Sequence, residues 1–231
     1  MGDPERKTAL YEAFARTGKA LSSGKRLELL DLLAQGERTV DALAKAAGLN
    51  LTTASAHLQT LKQAGLVATR RDGVRIHYRL AGDDVAALYA LLRNVARAHQ
   101  EAVEPARAAY LGTDHAEEVS REELLARARS GEIVLLDVRP VEEYAAGHIP
   151  GALSVPVTEL ADRIAELPDD TEVVAYCRGA YCVLAYDAVR LLRDRGRAAI
   201  RLTDGMLEWR LADLPVHTGN PAGAASGTTT T

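Results

Sequence analysis

Cysteine is scarce in this sequence, and long apolar runs are missing from it. The 231 residues include two cysteines, Cys177 and Cys182, which are too few to form the disulfide framework of a secreted domain. No apolar run approaches the length of a membrane-spanning helix. The first residues are charged where a signal peptide requires an apolar core. We therefore expect a cytoplasmic protein without membrane contact, in which the two cysteines serve chemistry rather than structure.

Charge is unevenly distributed along the chain, although the net charge is only −4. Residues 1–111 carry 16 basic and 12 acidic side chains, whereas residues 112–231 carry 12 basic and 20 acidic ones. A basic half joined to an acidic half indicates that the first half meets a polyanion. Chance variation in surface charge is the alternative reading of this asymmetry.

Apolar spacing predicts that the first half of the chain is mainly helical. Four helices are expected, over about residues 5–17, 27–35, 39–47 and 52–64. Two strand-like segments follow, at residues 66–71 and 74–80, on either side of the hairpin-turn pair Asp72-Gly73. One long helix is then expected over residues 83–110, with an apolar side that exceeds what a solvated helix needs.

Two helices joined by a tight turn and followed by a basic hairpin are typical of a winged helix-turn-helix DNA-binding domain. The second of these helices would enter the major groove of a double-stranded operator, and the hairpin arginines would contact the backbone or minor groove with salt-dependent affinity. Candidate contacts to bases or phosphates are Thr52, Thr53, Ser55, Ala56, His57, Gln59, Arg70, Arg71 and Arg75.

The segment from Gly48 to Leu80 resembles the recognition helix and wing of ArsR-type repressors, and the similarity extends over roughly residues 8–105. The resemblance implies a homodimer with the first and last helices at its interface. Metal-sensing relatives carry paired cysteines before the recognition helix, but here residues 39–44 contain none. The scattered histidines are likewise expected to be structural or to contact DNA rather than to bind metal; they are His57, His77 and His99.

The second half alternates short apolar runs with helices, which predicts an α/β domain with a parallel sheet. Buried strands are expected at residues 133–138, 172–176 and 199–202. Helices are expected at about residues 120–129, 141–146, 158–166, 182–195 and 205–211. The predicted domains are 1–111 for DNA binding and dimerisation, 112–217 for the α/β domain, and 218–231 for a disordered tail.

Cys177 follows a predicted buried strand and begins a loop that ends where the next helix starts. The loop residues are Cys177, Arg178, Gly179, Ala180, Tyr181 and Cys182. Loop amides, the helix dipole and Arg178 are expected to stabilise a Cys177 thiolate, and Gly179 permits a tight turn. This arrangement favours nucleophilic sulfur chemistry, although a buried, inert cysteine is the alternative.

Three segments, in order, resemble the signatures of a single rhodanese domain over roughly residues 116–217: Leu135–Pro156, the loop Cys177–Cys182, and Thr203–Arg210. In the last segment, Asp204 stands where a glycine is usual. The resemblance implies that Cys177 attacks a sulfane-sulfur donor such as thiosulfate or polysulfide. A persulfide held by the loop amides would form without a cofactor, and Arg178 could hold an anionic donor.

Other residues of the predicted site have roles that the sequence leaves open. Asp137 and Arg139 either brace the loop by hydrogen bonds or pair at the surface, and His148 is expected to be structural. Cys182 is either a resolving thiol that attacks the Cys177 persulfide or a small residue packed under the loop. A phosphatase is not expected, because Val183 stands where phosphate binding requires an arginine.

Three functions fit the combination of these two halves. The first is a sulfur- or redox-responsive repressor, in which the rhodanese domain senses or loads sulfur and the state of Cys177 biases DNA affinity. The second is a sulfurtransferase whose DNA-binding half is auxiliary. The third is an idle rhodanese domain used as an interaction platform, which the intact cysteine and complete loop disfavour.

Overall fold

A computed structural model describes residues 3–112, 118–130 and 133–220 of the chain. The chain divides into two compact units, Met1–Asn94 and Val95–Thr231. The predicted domain boundary after residue 111 stays a prediction, and the part of the predicted tail beyond residue 220 lies outside the described residues. Among the described helices, none is long and apolar enough to cross a membrane.

The first unit is mainly helical with a small sheet. Its elements are α1 (Pro4–Leu21), α2 (Gly24–Ala34), β1 (Arg38–Thr39), α3 (Val40–Ala46), α4 (Leu51–Gln63), β2 (Val67–Asp72), β3 (Arg75–Leu80) and the larger part of α5 (Asp83–His99). The side chain of Thr39 caps α3 by accepting from the Ala42 amide, and Asn50 caps α4 by accepting from the Thr53 amide. The antiparallel sheet has the order β1-β3-β2. The β2–β3 hairpin of this sheet is the predicted wing.

The hairpin turn lies one residue later than the sequence predicts. Asp72 pairs with Arg75 across the strands, which leaves Gly73 and Val74 as the two turn residues. Gly73 has a φ of 58°, and a glycine with positive φ at the first turn position suits the tight right-handed twist of a hairpin. Asp72 therefore belongs to β2 rather than to the turn.

The prediction of one continuous helix over residues 83–110 is wrong. α5 ends at His99, and a second helix, α6 (Val103–Leu111), begins after a short turn. Pro105 explains the interruption, because proline lacks the amide proton that a helix interior needs and is tolerated in the first turn of a new helix. Pro105 lies in that first turn of α6.

The second unit is a parallel sheet with helices on both faces. Besides α6, its elements are β4 (Glu118–Val119), α7 (Arg121–Ser130), β5 (Ile133–Asp137), α8 (Val141–Ala146), β6 (Leu153–Ser154), α9 (Val157–Arg163), β7 (Glu172–Tyr176), α10 (Val183–Asp194), β8 (Ala199–Leu202) and α11 (Met206–Leu211). The strand order is β4-β8-β7-β5-β6, and every pairing is parallel. The three predicted strands are confirmed, whereas β4 and β6 have two residues each and were not predicted.

The central strand β7 sends alternate side chains to the two faces of the sheet. Val173 and Ala175 pack in an apolar cluster with residues of α9 and α10, and Cys177 continues that alternation. Val174 and Tyr176 join the opposite cluster, which includes residues of α7, α8 and α11. This period of two directs the Cys177 side chain toward the start of α10.

Candidate functional sites

The cysteine loop lies at the carboxyl edge of the sheet, directly after its central strand. The loop runs from Cys177 to Cys182, the residue that precedes the first turn of α10. Within the loop, the backbone N–H of Cys182 donates to the carbonyl of Gly179 at 3.0 Å, which closes a tight turn. The carboxyl ends of strands in such sheets are where ligands bind. The position predicted for the loop is therefore the observed one.

Cys177 is buried, and only 2% of its surface is exposed. Its thiol donates to the carbonyl oxygen of Cys182, with a sulfur-to-oxygen distance of 3.3 Å, and lies 3.8 Å from the carbonyl oxygen of Gly179. Burial and the neighbouring Cys182 raise the pKa of the Cys177 thiol well above its usual value, although backbone hydrogen bonds from Gly179 and Ala185 act in the opposite direction. The expected stabilised thiolate is thus not the resting state of Cys177 in this closed loop.

Cys182 is the more acidic thiol of the pair. A hydrogen bond from the Cys177 side chain and the charge of Arg178 lower the pKa of Cys182, and backbone hydrogen bonds of Arg178 and Leu184 act in the same direction. Cys182 is itself buried at the end of the loop, with 9% of its surface exposed.

Arg178 is turned toward α8 and holds a carboxylate there. Its Nε and Nη2 atoms donate to both oxygens of Glu143, at 2.6–3.0 Å, and the Glu143 side chain has no exposed surface. A bidentate, buried pair of this kind is geometrically specific. Arg178 thus anchors the loop, and its charge is already compensated before an anionic donor arrives.

The start of α11 and the residue before it are in close contact with the cysteine loop. The amides of Met206 and Leu207 donate to the carbonyls of Cys177 and Arg178, both at 3.0 Å. Gly205 packs so closely that an added Cβ atom would lie 2.3 Å from the Gly179 nitrogen. Backbone approaches of this kind require glycine.

Asp137 and Arg139 form a fully buried ion pair, so the surface-pairing alternative is wrong. Asp137 accepts from the Arg139 side chain, at 2.5 Å for the shortest contact, and from the Tyr176 hydroxyl at 2.7 Å. Arg139 also donates to the carbonyl of Gly147 at 2.8 Å. Burial alone would lower the pKa of Arg139, but Asp137 more than offsets it, so the pKa lies above its usual value. The pair braces Tyr176, the residue just before Cys177, rather than the loop itself.

A cavity of about 260 Å³ lies beside the loop, between α8, α9 and the start of α10. Arg178 and Leu184 line its side nearest the loop, and Glu142 and Glu159 contribute carboxylates. Cys177 does not reach the cavity wall.

The helix α4 presents a polar stripe to solvent and packs its opposite face into the first unit. The residues of this stripe share helical spacing and are exposed, and they are Thr52, Ala56, Gln59 and Gln63. Leu58 and Leu61 are fully buried on the other face. Thr53, Ser55 and His57 lie between these faces and are half-buried. The exposed face of α4 therefore holds three of the six predicted helix contacts, Thr52, Ala56 and Gln59.

The wing arginines differ in how far each is already neutralised. Arg70 forms a bidentate ion pair with Glu37, at 2.5–3.4 Å, and that hydrogen bond lowers the pKa of Glu37. Arg71 donates through Nε to the carbonyl of Gly73 at 3.0 Å. Arg75 is exposed at the start of β3. The charge of Arg70 is therefore compensated by a neighbouring carboxylate, whereas the charges of Arg71 and Arg75 are more available to a polyanion.

Comparison with known families identifies both parts of the chain. The family of bacterial regulatory proteins named arsR matches residues 23–69, and the rhodanese-like domain family matches residues 120–212. An HTH-type transcriptional regulator of Mycobacterium tuberculosis is 60% identical over 222 residues, which cover 96% of this chain and 98% of that protein. The chain belongs to the ArsR family of HTH-type regulators and carries a rhodanese-like domain.

Other relatives of this ArsR-family regulator match one half each. A sulfurtransferase of Allochromatium vinosum is 34% identical over 101 residues, which cover 43% of this chain and 92% of that protein. The solved homodimeric winged helix-turn-helix DNA-binding domain of a Mycobacterium bovis protein is 59% identical and covers 44% of this chain and 94% of that chain, with a TM-score of 0.41.

Two apolar helix faces of this regulator are open to solvent. On α1, Leu10, Tyr11 and Phe14 are each more than half exposed, and on α5 Leu88 and Leu91 are 38% and 60% exposed. A soluble protein rarely leaves large side chains exposed in groups without a partner surface. These faces are the ones that the sequence assigns to a dimer interface.

Several residues of the rhodanese-like domain have roles that sequence reasoning missed. Glu143 and Gly205 lie inside the two signature segments, but their contacts with the loop depend on chain folding between distant residues. His148 is buried, donates through Nδ1 to the Tyr144 carbonyl at 2.9 Å and stacks on the Tyr144 ring, in agreement with a structural role. Ala180 and Tyr181 are half-buried in the loop turn. Within the described residues, no cluster of three or more His, Cys, Asp or Glu side chains is arranged to hold a metal ion.

Proposed function

We propose that this ArsR-family regulator is a repressor whose rhodanese-like domain receives sulfane sulfur at Cys177, and that the sulfur state of the loop alters its affinity for DNA. One observation carries the proposal. The cysteine at the carboxyl end of the central strand sits in a complete loop, and the same chain carries a winged helix-turn-helix domain.

The DNA-binding role rests on α4 and the wing. The polar stripe of α4 suits the major groove, where hydroxyl and amide side chains read base edges. The wing adds Arg71 and Arg75, whose charges would contact phosphates. The relative from Mycobacterium bovis, 59% identical, is described as a DNA-binding domain, which supports the same assignment here.

A homodimer is part of the proposal, because the exposed apolar side chains of α1 and α5 need a partner surface. A second copy of the same chain supplies identical faces, and a two-fold arrangement buries both at once. Dimeric helix-turn-helix proteins bind two half-sites of a palindromic operator. The operator is therefore expected to be palindromic.

The chemical step begins with the Cys177 thiolate as nucleophile. It attacks the sulfane sulfur of a donor such as thiosulfate or polysulfide, the donor's S–S bond breaks, and the remaining fragment leaves with the electron pair. The backbone hydrogen bonds from Gly179 and Ala185 stabilise negative charge on the bound sulfur. Since Cys177 is buried, the loop must open before the donor arrives.

Steady sulfurtransferase turnover is the second candidate function. The complete loop and the 34% identity to a sulfurtransferase favour it. It requires an acceptor thiol or cyanide to remove the sulfur repeatedly from Cys177. A regulator instead needs one sulfur event per signal, so turnover with thiosulfate and cyanide distinguishes the two.

The proposed sulfur uptake is tested by exposing the full-length protein to inorganic polysulfide without oxygen, and then mapping free thiols by alkylation and mass spectrometry. Cys177 is expected to lose its free thiol in the wild-type protein. In the Cys177→Ser variant, Cys182 should stay free. A Cys177 thiol that remains fully alkylatable after treatment contradicts the proposal.

A further inference from the structure

The two cysteines of the loop are close neighbours. The Cys177 thiol donates to the backbone carbonyl of Cys182 at 3.3 Å, and each thiol changes the pKa of the other. Both cysteines are free and belong to the same apolar cluster. Uptake of sulfur by Cys177 alone makes no use of this second sulfur atom.

We propose that Cys182 is a second nucleophile that reduces the sulfane sulfur held on Cys177, releasing it as hydrosulfide and leaving a Cys177–Cys182 disulfide. This inference rests on the proposed sulfur uptake at Cys177 and goes beyond it. It gives the loop a sulfane-sulfur reductase reaction. It also makes an internal disulfide, rather than a persulfide, the lasting form of the signal.

The reaction balances in two displacement steps. In the first, the Cys177 thiolate takes the outer sulfur of a polysulfide, and a polysulfide chain shorter by one sulfur leaves. In the second, the Cys182 thiolate attacks the Cys177 Sγ atom, the bond to the outer sulfur breaks, and hydrosulfide leaves with the electron pair. The sulfane sulfur gains two electrons from the two thiols, and of the two protons that the thiols lose, one stays on the hydrosulfide and the other goes to solvent.

The position of Cys182 suits the second step. It precedes the first turn of α10, where unpaired amides favour a thiolate, and Arg178 adds a positive charge nearby. Because the two sulfur atoms are held together inside an apolar cluster, the attack is intramolecular and competing external thiols are kept out.

The disulfide changes the contacts that hold the loop. The Cys177 sulfur can no longer donate to the carbonyls of Cys182 and Gly179, which it does in the reduced loop. The Cys177 carbonyl is itself held by the Met206 amide. We expect the new bond to shift the loop relative to α11, and return to the reduced form requires a thiol reductant.

The test compares the wild-type chain with Cys182→Ser after treatment with inorganic polysulfide without oxygen. Serine is a preferred residue before a helix, so the variant should keep α10 and its thermal midpoint. In the wild type we expect a protein that is lighter by two hydrogens, that takes no alkyl group, and that releases an additional equivalent of sulfide. In Cys182→Ser we expect one added sulfur atom on Cys177, trapped by alkylation, and no such release.

The possible outcomes separate a failure of the reductase step from a failure of the sulfur uptake. A wild-type protein that keeps the added sulfur on Cys177 while Cys182 is alkylated overturns the reductase step and leaves the sulfur uptake intact. The same holds if Cys182→Ser releases as much sulfide as the wild type. If neither protein acquires sulfur or loses the Cys177 thiol, the proposed uptake itself is overturned, and the reductase step with it.

Discussion

At the scale of single residues, the two cysteines of the loop differ in acidity. Burial and Cys182 raise the pKa of Cys177, whereas the hydrogen bond from Cys177 and the charge of Arg178 lower the pKa of Cys182. Opening of the loop, rather than a permanently ionised Cys177, is expected to control reactivity with a donor.

The pH dependence of alkylation should show this difference. Since only the thiolate reacts and the pKa of Cys177 is raised, its rate of alkylation by iodoacetamide should still be rising with pH above the range in which Cys182 has reached its plateau. In Cys182→Ser, the neighbour that raises the pKa of Cys177 is removed, so the Cys177 profile should move to lower pH. Peptide mapping after short alkylation pulses measures both profiles.

An unchanged Cys177 profile in Cys182→Ser would contradict this coupling. The control is the Cys182 profile in Cys177→Ala. There, loss of the hydrogen bond that lowers the pKa of Cys182 should move the profile to higher pH.

Residue-level prediction from sequence succeeded where chemistry depends on local order. The strand–loop–helix pattern places Cys177, Gly179 and Cys182 without knowledge of any distant contact. The pattern does not give the pairing of Arg178 with Glu143, because the two residues are 35 positions apart and meet only after β5, β7 and α8 have packed. For the same reason, the direction of the Cys177 pKa could not be predicted, since it follows from burial.

At the scale of elements, the loop depends on its support by the start of α11. Replacing Gly205 by alanine should displace the loop, because the new Cβ atom would meet the backbone of Gly179 at 2.3 Å. We expect a destabilisation of about 2 kcal/mol, typical of overpacking, together with slower sulfur uptake by Cys177. Chemical denaturation and thiol mapping measure the two effects.

Gly18→Ala is the matched control, because its added Cβ meets no atom within 4 Å and α1 gains helix propensity. It should leave stability equal or higher and sulfur uptake unchanged. A Gly205→Ala protein with wild-type stability and uptake would show that the backbone contact does not hold the loop.

The wing offers a second test among elements. Arg75→Ala should weaken binding to operator DNA and reduce the slope of log affinity against log salt by about 0.9, as expected for one lost phosphate contact. Arg70→Ala should have the smaller effect, because Arg70 is already paired with Glu37. Fluorescence anisotropy over a salt series measures both slopes, and a larger loss in Arg70→Ala would refute the ranking.

Helices and strands were predicted well where an apolar pattern extends over several residues. They were predicted poorly where a single residue sets an element's end or where the element is very short. The strands β5, β7 and β8 follow from buried apolar runs. The break between α5 and α6 depends on Pro105, whose effect the apolar pattern of residues 83–110 conceals. The strands β4 and β6 have two residues each, and a segment that short carries no period that could reveal it.

At the scale of the whole molecule, the chain joins a DNA-binding unit to a rhodanese-like unit, and α5 contains residues of both. Continuity of a helix is not by itself evidence of coupling between sites. Coupling requires that the sulfur state favours one of two conformations that differ in DNA affinity. Dimerisation would amplify this difference, because both half-sites of an operator must be contacted together.

The dimer is tested by placing a charge on the open face of α5. Leu91→Glu should shift the protein from dimer to monomer in sedimentation experiments, because a carboxylate cannot be buried in an apolar interface without a partner. Leu153→Glu is the matched control, a leucine of the rhodanese-like domain that is 43% exposed, and it should stay dimeric. Equal oligomeric states of the two variants would exclude this face from the interface.

The most direct measurement compares operator affinity before and after polysulfide treatment, at constant salt, for the wild type and Cys177→Ser. Treatment is expected to weaken operator binding by the wild type by at least about fivefold, the lower range of allosteric coupling. Binding by Cys177→Ser should be the same with and without treatment. Equal affinity of treated and untreated wild-type protein, with Cys177 shown to have reacted, would contradict the claim that the cysteine loop controls DNA binding.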